Sequence, residues 1–358
     1  MISSRAARNA LGLVFALAGV VLVLNLVAFA FGQAPAATLR RVVEGTWGTP
    51  YGIGQVLFKA SPLLLTGLAF EVALRTGLFN IGAEGQLALA SLVGGAYAAK
   101  LPAGTPWPVA VLSALVVAAL VGALVALPPA IMRARLGVHE IITGIMMNRV
   151  VDVIVPWALT VVVGSSSLRT GDIAPGAAMM RLERVVPSFS GSAASAAFPL
   201  AVAAVYATHA LLGRTRVGRE LRFLGLNAEA CRAEGVAVPR RLAQAMLISG
   251  AIAGLGMTST VLGYKGYYEL GLGAGAGFSG IAVAMLGRGS ATGLVLAALL
   301  FGTLEQAGLA INARVPKEAM NLLEAVVIVL VAVAAHASRA PAATAASPAS
   351  TSAPEAST

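Results

Sequence analysis

A single cysteine, Cys231, stands in a chain of 358 residues, so there is no internal disulfide and no cysteine-based metal site. The dipeptide Gly-Lys is absent, which removes a phosphate-binding P-loop and, with it, ATP hydrolysis by this chain. His139, His209 and His336 are isolated, and His139-Glu140 lacks the second histidine of a helical zinc motif. No metal, cofactor or catalytic residue is expected, since no nucleophile and base are signalled by spacing. Charge is scarce as well: 11% of residues are charged, against roughly a quarter in soluble domains. With 58% hydrophobic residues and a mean hydropathy of +0.85, a soluble globular protein is excluded. The net charge of +10 would suggest nucleic acid in a soluble chain. Here the arginines cluster in loops, so topology accounts for them; the expected medium is the lipid bilayer, and no nucleic-acid partner is expected.

What the chain has instead is apolar runs near the length that crosses ~30 Å of hydrocarbon. They fall at about 10–31, 55–74, 80–99, 107–131, 141–163, 198–212, 242–262, 275–287, 291–310 and 320–336, the eighth being short. The first follows Arg5 and Arg8 but is too long for a signal-peptide core and is read as a retained span. With the N-terminus in the cytoplasm, fourteen Lys and Arg fall on the inner side and nine on the outer, and short cytoplasmic loops retain such residues. The fold class predicted is therefore an all-α integral membrane protein of about ten transmembrane helices with both termini cytoplasmic. Residues 1–339 form one transmembrane domain, 164–197 the largest extracytoplasmic loop, and 340–358 a cytoplasmic tail too poor in apolar side chains to order. Trp47 and Tyr51 read as interfacial anchors.

Several spans are punctuated. Ser61-Pro62 lies in the second, Pro156 in the fifth, and six glycines between Gly263 and Gly277 precede Gly280. Irregular backbone at membrane depth is tolerated only inside protein or along a cavity, so broken or re-entrant segments are expected there. Gly275-Ala-Gly277-Phe-Ser-Gly280 matches G-x-G-x-x-G, yet its flanks are spans and not a strand and soluble helix, which leaves helix packing. Gly250 and Gly254 form a small-xxx-small pair suited to the same purpose.

The stretch the rest is organised around is the cytoplasmic loop 213–241, which carries seven of the 25 Lys and Arg. Within it a short helix is predicted. Asn227 caps the N-terminus, Glu229 sits in the first turn where the helix dipole favours an anion, and Gly235 ends it. A capped helix held outside the membrane between two spans suits a gripping partner, although a basic loop that only fixes topology would carry the same charges.

Polar residues also fall inside spans: Asn80, Glu84 and Gln86, then Asn148, and beyond them Glu71, Glu305, Gln306, Asn321 and Glu324. An ionised group near the bilayer centre costs at least ~2.5 kcal/mol, so each is expected to face a partner or a wetted cavity. Arg149 and Asp152, three apart on one helix, suit internal neutralisation near its cytoplasmic end.

Four stretches carry a resemblance. Glu229-Ala230, then Gly235, resembles the E-A-A signature of ABC importer permeases, with Cys231 a small-for-small replacement of the second alanine. Gly77-Leu-Phe-Asn-Ile-Gly-Ala-Glu-Gly-Gln86, Glu140-Ile-Ile-Thr-Gly-Ile-Met-Met-Asn148 and Gly277-Phe-Ser-Gly-Ile-Ala-Val-Ala-Met-Leu-Gly287 are similar to permeases of the ribose and nucleoside type. This is the branch served by basic-membrane-protein lipoproteins, and the likeness runs from about 55 to 335. It implies a non-catalytic transport subunit in a bacterial plasma (inner) membrane, moving a nucleoside-like or simple-sugar solute inward. The implied partners are a second permease subunit, cytoplasmic ABC ATPase subunits and an extracytoplasmic substrate-binding lipoprotein. Asn227, Glu229, Ala230, Arg232 and Gly235 would couple to the ATPase. Asn80, Glu84, Gln86 and Asn148 are the candidates for the translocation path. Two other functions compete: an ion-coupled secondary transporter using the intramembrane carboxylates, and an intramembrane enzyme.

Overall fold

The computed structural model describes residues 31–312 and, beyond them, Leu22, Asn25, Phe29, Ala325, Val326 and Val329. The expected first and tenth spans and the tail, with Asn321, Glu324 and His336, lie outside the described residues apart from those few positions. Among the described residues there is no β-strand, only isolated bridges pairing Arg169 with Glu269 and Arg181 with Ser195. Between residues 31 and 312 eleven α-helices follow in order: α1 (Pro35–Gly45), α2 (Pro50–Leu74), α3 (Ala83–Lys100), α4 (Trp107–Leu136), α5 (Glu140–Trp157), α6 (Ala197–Arg214), α7 (Arg216–Leu226), α8 (Ala228–Ala233), α9 (Val238–Gly254), α10 (Ala276–Gly287) and α11 (Ala291–Ile311). Two π-helical stretches, Ala158–Val162 and Thr258–Lys265, lengthen α5 and α9.

Six of these elements are long and apolar enough to cross a membrane: Pro50–Leu74, Trp107–Leu136, Glu140–Val162, Ala197–Arg214, Val238–Lys265 and Ala291–Ile311. They correspond to six of the expected ten spans. The third expected span is α3, whose hydropathy is lowered by Glu84, Gln86 and Lys100. The eighth is α10, which at 1.5 Å per residue reaches only ~18 Å.

α2 forms the axis. Thr49 caps it through Gly52 N at 3.0 Å, and Ser259 Oγ donates at 3.0 Å to Phe58 O, the carbonyl that Pro62 leaves without its helical N–H. Its side chains Leu63, Leu64, Leu68 and Phe70 are sealed among α6, α9, α10 and α11. A second core joins α3, α4 and α5 to the π stretch after α9 through Leu92, Ala114, Val151, Leu159, Met257 and Val261. α4 and α9 touch backbone to backbone, because a Cβ at Gly122, Gly250 or Gly254 would overlap the opposing helix. The small-xxx-small pair thus does pack two helices. Outward, Val109, Leu112, Val116, Leu120 and Leu124 of α4 form an exposed apolar stripe at helical spacing, as a lipid-facing helix requires.

Residues 163–196 fold over one end of the bundle. Their backbone donates from Thr170 to Tyr268 O, from Ala174 to Ala98 O and from Met179 to Leu262 O, so this loop is tied to α3 and to the segment after α9. α7 and α8 occupy the opposite end.

Candidate functional site

At the α7–α8 end, Asn227 Oδ1 accepts from the backbone N–H groups of Glu229 and Ala230, both at 3.0 Å, and so caps α8. Gly235, at φ +78°, follows its last turn, a left-handed conformation that glycine adopts without strain. Cys231 is buried with Leu224 and Val238, which holds the helix on its platform. Asn227, Glu229, Ala230, Arg232 and Gly235 are all exposed, beside the uncovered side chains of Phe223 and Leu226. The platform is braced to α9: Glu220 accepts from Arg216 Nε at 2.8 Å and from Arg241 Nε at 2.6 Å. The hydrogen bond from Arg216, opposed by burial and reinforced by the hydrogen bond and charge of Arg241, holds the Glu220 carboxyl below the usual carboxylate range. One contact carries α7 onto the spans. Gly225 lies so close to the turn after α2 that a Cβ would overlap Arg75 O, and Gly77 faces it. Nothing in the charge pattern of the loop had singled out Gly225.

The turn from α2 to α3 is the run Gly77–Gln86. Its backbone is not helical from Leu78 to Gly82 although Leu78 and Asn80 are fully buried, so its polar groups need partners inside the protein. Side chains supply them. Glu140 Oε1 accepts from Phe79 N at 3.1 Å; Asn148 donates to Ile81 O at 2.9 Å and accepts from Gly85 N at 3.0 Å. Asn80 and Gln86 exchange hydrogen bonds at 2.8 and 3.0 Å, and Asn80 also donates to Ser249 Oγ of α9, which passes the chain to Ala69 O. Ser249 completes this network and went unnoticed in the sequence, where a lone serine among apolar residues carries no signal.

Glu84 does something different. Its carboxylate accepts from Gly275 N at 2.6 Å and Gly277 N at 2.8 Å, placing an anion on the N-terminus of α10. Gly271, Gly273 and Gly275 all have φ above +80°, and this left-handed path is what turns the chain back into α10. Gly277 and Gly280 leave no room for a Cβ against Glu84 and Thr66, so the G-x-G-x-x-G match is helix packing.

The glycine loop separates two hollows. One, of about 580 Å³, lies between α2, the π stretch, α10 and α11. Phe58 and Tyr264 form a tilted pair there, ring centroids 4.9 Å apart, and Lys59 faces Glu305 at 3.8 Å. The smaller, about 160 Å³, is bounded by Glu84, Asp152 and Tyr268. Of the four path candidates, Glu84 borders the smaller of these hollows, while Asn80, Gln86 and Asn148 belong to the buried network. At the α7–α8 end, Glu71 is enclosed with Arg75 at 2.6 Å and His209 at 3.0 Å, and Arg75 donates to Gly289 O, so α2, α6 and the α10–α11 turn are pinned together. Among the described residues, no three His, Cys, Asp or Glu gather as a metal site.

The family model described as branched-chain amino acid transport system / permease component matches residues 52–332. A guanosine ABC transporter permease protein of Bacillus subtilis is 35% identical over 310 residues, covering 84% of this chain and 86% of that protein. A glucose ABC transporter permease protein of Haloferax volcanii is 35% identical over 298 residues, covering 79% and 76%. A nucleoside ABC transporter permease protein of Lactococcus lactis is 29% identical over 316 residues, covering 86% of each. No solved structure matches the chain.

Proposed function

The chain belongs to the branched-chain amino acid transport system / permease component family, and from that premise we propose that it passes a neutral nucleoside, or failing that a simple sugar, inward across a bacterial inner membrane. As a permease subunit of an ABC transporter it is a non-catalytic transport component, and its family works with ATPase and substrate-binding partners. Ion-coupled secondary transport is not favoured. Guanosine and nucleoside relatives lend the nucleoside reading its weight, while the glucose relative keeps the sugar open.

The observation that carries the reading is the capped, exposed α8 on its braced platform. In this reading α7 and α8 lie in the cytoplasm. Glu229 and Arg232 make polar contacts with an ATPase subunit, Ala230 and Gly235 permit close approach, and Asn227 keeps the helix formed. Movement of that subunit would press α7, through Gly225, on the turn that holds Asn80, Glu84 and Gln86. Asn80, Gln86 and Asn148 then transmit the push to the wall of the path, which Glu84 and the glycine loop border. The finer topology is ten spans over residues 1–339 with both termini and the 340–358 tail cytoplasmic. A substrate-binding lipoprotein would dock over residues 164–197, and a second permease subunit would complete the channel. Uptake by the reconstituted complex, with radiolabelled guanosine competed by uridine or glucose, tests the solute class. Competition by glucose alone would move the assignment to sugars.

A further inference from the structure

The larger hollow has a neighbour. A recess of about 560 Å³, bordered by Arg41, Glu44, Tyr51 and Gln55, shares Phe58, Lys59, Tyr264 and Leu309 with it. This recess lies toward the end that residues 163–196 cover, where Gly54 of α2 leaves no room for a Cβ against Ser192 of that loop. Phe58, Lys59 and Tyr264 thus form a neck. On one side is the recess under the covering loop, on the other the hollow that the glycine loop closes.

The chemistry of the neck is unlike that of a packed core. Lys59 stands ~13 Å along α2 from Pro50, well inside a helix long enough to span. Its ammonium has three N–H groups to place, and Glu305 at 3.8 Å is beyond hydrogen-bond reach. Both side chains line the hollow and stay partly open, 17% and 32% exposed. Charge at this depth faces a partner or the contents of a cavity. Beside it Tyr264 is 38% exposed, with Phe58 tilted against its ring. The π turn that carries Tyr264 is held from the covered end, for Arg181 donates to Tyr264 O and Met179 N to Leu262 O, both at 2.8 Å. Such turns recur at functional sites.

We propose that this neck is a nucleobase subsite built within the single protomer. The base lies on the Tyr264 ring, which Phe58 braces, and its edge meets Lys59 as donor and Glu305 as acceptor. Every base has a π face for the ring, and its edges carry hydrogen-bonding groups for the ion pair. A simple sugar brings hydroxyls for the ion pair but no π face for the tyrosine. Lys59 and Glu305 cancel in charge, which suits a neutral nucleoside better than a phosphorylated one. The hollow, at about 580 Å³, falls within the ~300–1,000 Å³ of small-molecule sites. The inference rests on the permease reading and names the part of the solute that the protein reads.

A photoreactive base tests this directly. Vesicles containing this chain with its ATPase and receptor are irradiated with 8-azidoguanosine, and the labelled peptides of this chain are mapped. Label should fall on α2 around Phe58 or on the π stretch around Tyr264. Excess guanosine should suppress it, and excess ribose or glucose should not. Tyr264→Leu should cut labelling and uptake about tenfold or more, while Tyr264→Phe, which keeps the ring, should retain both. Lys59→Met should lower labelling as well, with Lys59→Arg recovering a measurable part. Label confined to other helices, or protection by ribose as strong as by guanosine, would overturn the inference, and both of these arms use the unmutated chain. A loss in Tyr264→Phe as complete as in Tyr264→Leu would overturn it too. Guanosine uptake by the unmutated complex is scored separately. Its absence would overturn the permease reading, whereas uptake with label elsewhere would overturn this inference alone.

Discussion

At the scale of single residues, the polar groups inside the bundle divide by what they touch. Asn80 is fully buried and makes three hydrogen bonds, to Gln86 twice and to Ser249 once. Asn80→Ala strands the Gln86 amide, at a cost of ~1–3 kcal/mol when left buried and unmet, and leaves Ser249 Oγ only its bond to Ala69 O. Its thermal unfolding midpoint in detergent should fall clearly, whereas Gln55→Ala, at a half-buried site whose amide bonds the exposed Tyr51 hydroxyl, should leave it nearly unchanged. Glu84→Gln keeps the shape but removes the anion from the start of α10, a loss of ~0.3–2 kcal/mol. Uptake should drop several-fold with membrane expression retained; an unchanged rate would exclude Glu84 from the path. Glu220 gives a pH signature. Because its carboxyl is held below its ordinary 4.5, its charge favours the α7–α9 brace fully above that value. The benefit disappears only as pH falls through the lower folded-state value. Protease resistance of the 214–241 segment should therefore persist at pH 5, and Glu220→Gln should weaken it there as much as at pH 7.

Helices and turns show why some of this was legible in sequence and some was not. The cap Asn227, the first-turn Glu229 and the terminating Gly235 are local signals, and α8 forms where they place it. The glycines at 271, 273 and 275 announced irregular backbone for an equally local reason. The run 77–86 was read as the end of one span and the start of another; α3 does begin at Ala83, but the stretch before it, Leu78 to Gly82, is a non-helical turn whose partners Glu140, Asn148 and Ser249 come from distant parts of the chain. No spacing rule predicts such partners. α3 and α10 were counted as spans from their apolar content; α3 carries Glu84, Gln86 and Lys100 and α10 is twelve residues long, so neither is among the six described helices whose length and hydropathy alone suit a membrane crossing. The contact at Gly225 yields a prediction at this scale. Gly225→Val forces α7 off the Arg75–Gly77 turn, so uptake should fail while the ATPase still co-purifies. Loss of both together would assign Gly225 to ATPase binding instead of transmission.

For the molecule as a whole, two features point the same way. The α7–α8 end is braced and pinned by the Glu71, Arg75 and His209 cluster, while the opposite half contains the hollows around the glycine loop. The pinned cluster beside hollows farther along the bundle gives the asymmetry that alternating access requires, and α8, beside a recess of about 270 Å³ lined by Phe223, Leu226 and Ala230, is the part of that end open to a partner. The central claim is that ATP hydrolysis elsewhere is delivered through α8. The most direct measurement is solute-stimulated ATP hydrolysis in vesicles containing this chain, its ATPase and its receptor, with Glu229→Arg and Arg232→Glu beside the unmutated protein. The account predicts that both substitutions abolish stimulation and ATPase binding while the chain stays in the membrane. Uptake that persists without the ATPase and collapses with the proton gradient would contradict it.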